Sequence, residues 1–326
     1  MISVDACTSE IDWDDKVLGL GGHPLQLWGW GEVKAAHNWR VERVFVKDDD
    51  QLLGLGQLLI RTLPWPFKAL VYLPRGPVIQ QEHRARVLKA LAGYAKRRYG
   101  AVVITVEPDW QTMPELEGWH ASSNTILIPR TLILDLKNSE DELLAHMTKK
   151  TRQYIRKSEK EAITIRQVKS REELQACLEI YKQTASRANF ALHDDHYYVD
   201  VFEKLGDHSP VMAAFLDNAP VAFLWLAISE TAAFELYGGM NDDGQRLRAN
   251  YALKWQTIQC MKRWGIERYD FNGLLNDGVS TFKQGFADHE DILAGTYDKP
   301  LSPLYVLWAK GLPLVKKLLR AVKNRR

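Results

Sequence analysis

The sequence predicts an α/β (α+β) chain built from two tandem copies of one domain type. Two observations carry this reading. The 326 residues suit two ordinary domains. One succession of strand-like and helix-like segments also occurs twice, about 165 residues apart, although the two halves share little residue identity. With 46% apolar, 10% aromatic and 26% charged residues, the chain can bury two cores and is too apolar to be mainly disordered. No uninterrupted apolar run reaches the roughly 20 residues of a membrane span, and the longest candidate, Val221 to Ile228, reads as a buried strand. The acidic stretch Met1 to Asp15 lacks the apolar centre of a secretion signal, so a cytoplasmic protein is expected. Cys7, Cys177 and Cys260 are widely spaced with no CxxC, which predicts reduced packing thiols rather than a disulfide framework or zinc site.

In the first half, Val41–Lys47 and Gln51–Ile60 read as strands around the turn Asp48-Asp49-Asp50, and Ala69–Leu73 as a third. A helix over Glu82–Tyr99 sets Val87, Leu88, Leu91, Tyr94 and Ala95 on one face. Gly100 closes it, and Ala101–Glu107 is a buried strand. In the second half, Pro210–Leu216 and Pro220–Ser229 flank a turn at Asp217-Asn218, and Ala232–Tyr237 is the third strand. The helix Ala249–Trp264 aligns Tyr251, Trp255, Ile258 and Met261; Gly265 closes it, and Tyr269–Phe271 follows. Three antiparallel strands, a helix and a further strand form the centre of the GNAT-like acyltransferase fold, and a cleft between two such domains is the expected ligand site.

Charge is uneven. The net charge is +2, yet Leu301 to Arg326 holds seven Lys or Arg and no acid, which leaves the other 300 residues at −5. Between the halves, Ser139–Ala162 reads as helical, with a capping box from Ser139 and Glu142. Lys149, Arg152, Arg156 and Lys160 recur at helical spacing there. They form either a solvated face or a surface that follows nucleic-acid phosphates.

The strings GHPLQLWGWGEVK (Gly22–Lys34), PRGPV (Pro74–Val78), PRTLILDL (Pro129–Leu136), KKTRQYIRKSEK (Lys149–Lys160), YGGMND (Tyr237–Asp242), NYALKW (Asn250–Trp255), YDFNGL (Tyr269–Leu274), FKQGF (Phe282–Phe286) and GTYDKP (Gly295–Pro300) follow in that order. The ordered set resembles the FemABX family of peptidoglycan interpeptide-bridge aminoacyltransferases, in the short form without a coiled-coil insertion. The resemblance runs from about Gly22 to Pro300. It implies two acetyltransferase-like domains, expected at 1–148 and 149–298, with 299–326 returning to the first. It also implies transfer of an amino acid from aminoacyl-tRNA to a stem-peptide amine of lipid II or UDP-MurNAc-pentapeptide. Aminoacyl-tRNA is then a co-substrate, and neither a further cofactor nor a metal is expected.

The resemblance makes Lys283, in FKQGF, the first catalytic candidate, a cation aimed at the developing oxyanion or at the tRNA end. Asp109, in VEPDW, matches an acid that orients or deprotonates the amine; a plain turn residue after Pro108 is the other reading. Lys34 and Arg187 match basic positions for the diphosphate and sugar of the acceptor, where a Lys and an Arg make a sensible anion clamp. Tyr237 and Tyr251 are candidates for hydroxyl contacts to the acceptor or for the core, and Trp28 and Trp30 read as core. Lys149, Arg152 and Arg156 are the tRNA-binding candidates.

Two other readings share the fold. A CoA-dependent N-acyltransferase needs a glycine-rich turn opening the central helix, but DDGQRLRAN has Leu247 and Arg248 where small residues belong, and PRGPVIQQE loses a donor at Pro77. A non-catalytic tRNA- or membrane-binding relative is disfavoured by the presence of Lys34, Arg187 and Lys283. The tail alternates apolar residues, among them Trp308, with Lys310, Lys316, Lys317 and Arg320. Such a helix either lies on an anionic bilayer, as peripheral contact at the inner face of the cell membrane, or docks on the first domain.

Overall fold

The computed structural model describes residues 1–188, 190–275 and 277–311. Two compact units emerge, one formed by Met1–Pro129 with the segment from Leu293 on, the other by Arg130–Ile292.

The first unit opens with β1 (Ile2–Cys7), α1 (Glu10–Gly19) and α2 (Trp28–Ala36). The antiparallel run β2 (Arg40–Asp48), β3 (Gln51–Thr62) and β4 (Ala69–Pro74) follows, with the short β5 (Val78–Ile79) on β3. Next come α3 (Arg84–Tyr99), β6 (Ala101–Glu107), parallel to β4, and β7 (His120–Ala121). α3 stops where Gly100 takes φ +57°, a left-handed turn that costs a residue without Cβ little. Its buried face, Val87, Leu88, Leu91 and Ala95, packs with Val44, Leu58, Val71 and Ile104 of the sheet.

The second unit contains β8 (Arg130–Thr131), β9 (Ile133–Asp135), α4 (Glu140–His146), α5 (Lys149–Ser158), β10 (Thr164–Gln167), α6 (Arg171–Ala188) and α7 (Asp195–Leu205). It continues through β11 (Val211–Leu216), β12 (Ala219–Ile228), β13 (Ala232–Met240), α8 (Asp242–Arg246), α9 (Ala249–Arg263), β14 (Arg268–Asp270), α10 (Gly278–Gln284) and β15 (Asp291–Ile292). The sheet order is β10-β11-β12-β13-β14-β9, with β13 and β14 parallel. Leu253, Trp255, Ile258 and Met261 of α9 share a core with Leu224, Leu226, Tyr269 and Phe271. Finally β16 (Tyr297–Pro300) inserts between β6 and β7 of the first unit, antiparallel to both.

The unit boundaries fall at Pro129/Arg130 and Ile292/Leu293, ahead of the 148 and 298 read from sequence. The reason is pairing: β9 bonds to β14, and β8 to β15, so 130–148 folds with the second unit. The stretch expected to be one helix from Ser139 is two. Ser139 makes its capping box with Glu142, but Met147 and Thr148 are extended, and Thr148 caps α5 afresh. Among the described residues no helix is long and apolar enough to cross a membrane. The tail is helical from 305 to 311; the rest of the expected amphipathic helix lies outside the described residues.

Candidate functional site

Lys283 lies near the end of α10, a helix capped by Asp277, whose carboxylate accepts from the Ser280 amide at 2.8 Å. Its Nζ donates to the carbonyls of Phe271 at 2.6 Å, Asn272 at 3.0 Å and Gly273 at 3.3 Å. An ammonium has three protons, and these three carbonyls take them all. They converge because the chain turns sharply after β14. Asn272 sits at φ +57°, in the left-handed region that asparagine tolerates better than most residues. Its amide donates to Asp270 Oδ1 at 2.8 Å, and its Nδ2 donates to the Glu235 carbonyl at 2.9 Å. Thr131 Oγ1 donates to the same Asp270 oxygen at 2.6 Å. The YDFNG string is therefore a built turn whose carbonyl edge holds Lys283. Burial lowers the pKa of Lys283, while Glu235, Asp270 and Asp277 pull the other way. A depression of about 310 Å³ lined by Leu275, Asp277, Thr281 and Gln284 opens beside α10.

Beneath this turn lies a group that sequence reading missed. Lys254 of α9 is 4% exposed and pairs with Glu235 of β13, 5% exposed. Tyr269 donates to the same Glu235 Oε1 at 2.9 Å. The Lys254 Nζ also lies 4.6 Å from the Phe271 ring centroid and 5.6 Å from that of Phe282. Desolvation pulls the Lys254 pKa down to about 8 despite Glu235. The signal was present: Lys254 follows Tyr251 by three positions and precedes Ile258 by four, on the face read as apolar. A lysine there needs a buried acid.

Tyr251 is brought to this region. Its ring meets Phe282 edge-on at 5.0 Å and Tyr154 of α5 at 5.0 Å. Arg248 lies over the Tyr154 ring at 4.8 Å and Lys150 at 5.6 Å, so an aromatic file leads from the Lys283 turn to two cations. Tyr237 sits in different company, packed among Tyr181, Tyr198 and Trp225, with its hydroxyl 3.5 Å from that of Tyr197. Desolvation pushes its phenol well above the usual value. Arg187, at the end of α6, donates to the Met240 carbonyl and to Asp242 Oδ1 at 3.0 Å.

Of the expected basic row on α5, Lys149 and Arg156 are exposed. Arg152 is not part of it. Its Nη1 donates to the carbonyls of Met147 at 2.6 Å, Leu144 at 3.0 Å and Ala145 at 3.3 Å, closing the end of α4. The break between α4 and α5 turns this side chain back onto the preceding helix.

The first unit holds Lys34 and Asp109. Lys34 lies in the last turn of α2, its Nζ 4.2 Å from the Trp30 ring centroid. Burial first, then Arg61, lower its pKa to about 8. The second glycine of LWGWGEVK has a structural cause. A Cβ on Gly31 would come within 2.2 Å of Gln57 Oε1 and 2.4 Å of Arg43 Nη2. Those two side chains form a buried link, with Arg43 Nε donating to Gln57 Oε1 at 2.8 Å. Trp28 stacks under Arg43 at 3.5 Å, and Trp30 is 6% exposed, so both pack as read. Asp109 follows β6 and is half-buried. The neighbouring acid, Glu107, is 1% exposed and fully engaged. It accepts from the Ile126 and Leu127 amides at 2.9 Å each, from Thr296 and from Tyr72.

Two units of this topology, each with a helix packed on a mixed sheet and a parallel strand beyond it, define a tandem GNAT-like chain. Solved structures agree. The crystal structure of FemX superposes with a TM-score of 0.83 at 19% identity, covering 94% of this chain and 100% of that one. A tandem GNAT protein from the clavulanic acid biosynthesis pathway gives 0.53 at 10% identity, covering 93% and 99%. The profile described as FemAB family matches residues 21–124, 115–220 and 217–310, and the chain belongs to that family. Lipid II:glycine glycyltransferase of Staphylococcus epidermidis is 27% identical over 91% of this chain and 92% of its own length.

Proposed function

We propose that this chain is a transferase that moves an aminoacyl group from aminoacyl-tRNA to a stem-peptide amine of a peptidoglycan precursor. The relative named for lipid II supports a lipid-linked acceptor. The observation that carries the reading is Lys283, whose ammonium is fixed by three carbonyls at the end of β14.

The chemistry asks little more. The donor ester is already activated; the amine adds to its carbonyl carbon, an oxyanion forms, and the carbon–oxygen bond to the ribose breaks. The proton surrendered by the amine leaves with the ribose oxygen. Alignment supplies much of the acceleration, and a fixed cation stabilises the oxyanion. Lys283 serves that role by exchanging its 3.3 Å contact to Gly273 for the substrate oxygen. Lys34 in the first unit and Arg187 in the second are each candidates for the acceptor's diphosphate or sugar, Arg187 by giving up the exposed Asp242. Asp109 orients the amine. Tyr251 is favoured over Tyr237 for acceptor contact, because its ring adjoins Phe282. Lys149 and Arg156, with Tyr154 between Arg248 and Lys150, receive the tRNA end.

The test offers the purified protein a pool of charged tRNA or acetyl-CoA, with lipid II or the UDP-linked pentapeptide as acceptor, and follows the acceptor by mass spectrometry. An aminoacyl mass gain that needs charged tRNA is expected. An acetyl gain, or none from any donor, overturns the reading.

A further inference from the structure

The first unit carries an exposed apolar surface outside the groups used above. Between β3 and β4 the chain runs Leu63-Pro64-Trp65-Pro66-Phe67-Lys68. This turn is tied at both levels. The Phe67 amide donates to the Pro64 carbonyl at 3.0 Å, and the Leu63 amide donates to the Lys68 carbonyl at 2.8 Å. Trp65 stands at its tip and is 92% exposed. One exposed tryptophan by itself is ordinary; it becomes informative when further exposed apolar side chains join it in a patch.

The turn is not alone. Phe67 meets Trp308 edge-on at 5.6 Å, which joins the turn to the helix 305–311. That helix is fixed on its inner side, where Tyr305 donates to Asp298 Oδ2 at 2.8 Å. On its outer side Val306 is 59% and Leu307 60% exposed, and Lys310 follows at the same helical spacing. The two chain segments that carry this apolar surface bear charge of one sign. Neither Gln51 to Gln81 nor Lys299 to Arg326 contains an Asp or Glu, while Lys68 and Lys310 flank the patch.

We infer that Trp65, Phe67, Val306, Leu307 and Trp308, with Lys68 and Lys310, form a docking surface for an anionic phospholipid bilayer. Tryptophan prefers the headgroup boundary, where its ring is half wetted, and lysines beside it meet the surface charge of an anionic leaflet. A second copy of this chain fits less well, because pairing the patch with itself would bring its lysines together. The use of this surface, to hold the enzyme where a lipid-linked acceptor resides, rests on the proposed transfer reaction; the surface itself does not.

The test is co-sedimentation of the full chain with vesicles of phosphatidylcholine alone and with added phosphatidylglycerol. Binding is expected only with phosphatidylglycerol, and it should weaken at high salt. Trp65→Ser should lower the partition constant about tenfold, and Lys68→Glu/Lys310→Glu at least as much, with thermal unfolding unchanged. Transfer to a soluble UDP-linked acceptor should be unaffected in Trp65→Ser, which separates failure of docking from failure of the transfer reading. Absence of wild-type binding, equal binding by Trp65→Ser, or a concentration-dependent dimer abolished by Trp65→Ser would each overturn the bilayer assignment.

Discussion

Lys34 and Lys254 are both desolvated lysines brought down to about 8, but by different surroundings. Lys34 has Trp30 and Arg61 near it, and in the proposed role a diphosphate arriving there would bring negative charge beside its ammonium. Its pKa then rises on binding, and binding takes up a proton at pH values above the free pKa. Affinity for the UDP-linked precursor should therefore fall as pH climbs past about 8, by up to about tenfold per unit. Calorimetric titration from pH 6.5 to 9.5 checks this, and Lys34→Met should bind weakly with no such slope. Lys254 already has its anion. Lys254→Met leaves Glu235 buried and uncompensated and should cost about 3 kcal/mol or more in urea unfolding, most of which Lys254→Met/Glu235→Gln recovers. Equal losses in both variants would contradict that account. Sequence alone offered the string NYALKW but not the pair, because strand and helix partners nineteen residues apart meet only once β13 and α9 pack.

Regular elements were the most legible part of the chain. Expected strands such as Gln51–Ile60 and Ala232–Tyr237 differ from β3 and β13 by a few residues at one end, since alternation and turn chemistry are local. The basic stretch after Ser139 was less legible. Helical spacing placed Arg152 in line with Lys149 and Arg156, but nothing local required Met147 and Thr148 to be extended. That break directs Arg152 onto three carbonyls of the preceding turn. Arg152→Ala should cost about 1–2 kcal/mol in chemical denaturation, from charged hydrogen bonds that are partly exposed. Lys149→Ala and Arg156→Ala should stay within about 0.5 kcal/mol of wild type. A silent Arg152→Ala would return it to the exposed row.

At the scale of the whole chain, duplication was readable as repeated order, while the exact units depended on long-range pairing. The return of β16 places a strand from position 297 between β6 and β7. There Asp298 accepts from Thr105 and Ser122 at 2.6 Å each. No local pattern announces such an insertion; the resemblance of the ordered motifs implied only that 299–326 returns to the first domain, not a strand from Tyr297 between β6 and β7. The candidate site divides in the same way. Lys283 was found by its motif, whereas its carbonyl cradle needs the left-handed Asn272 and the Glu235 carbonyl from another strand.

The most direct test of the central claim is the rate of aminoacyl transfer from charged tRNA to lipid II under saturating substrates, for wild type and Lys283→Ala. If the cradled ammonium stabilises the oxyanion, kcat should fall about 100-fold or more while the variant remains folded. An unchanged kcat, in a variant that unfolds like wild type, would contradict the role assigned to Lys283.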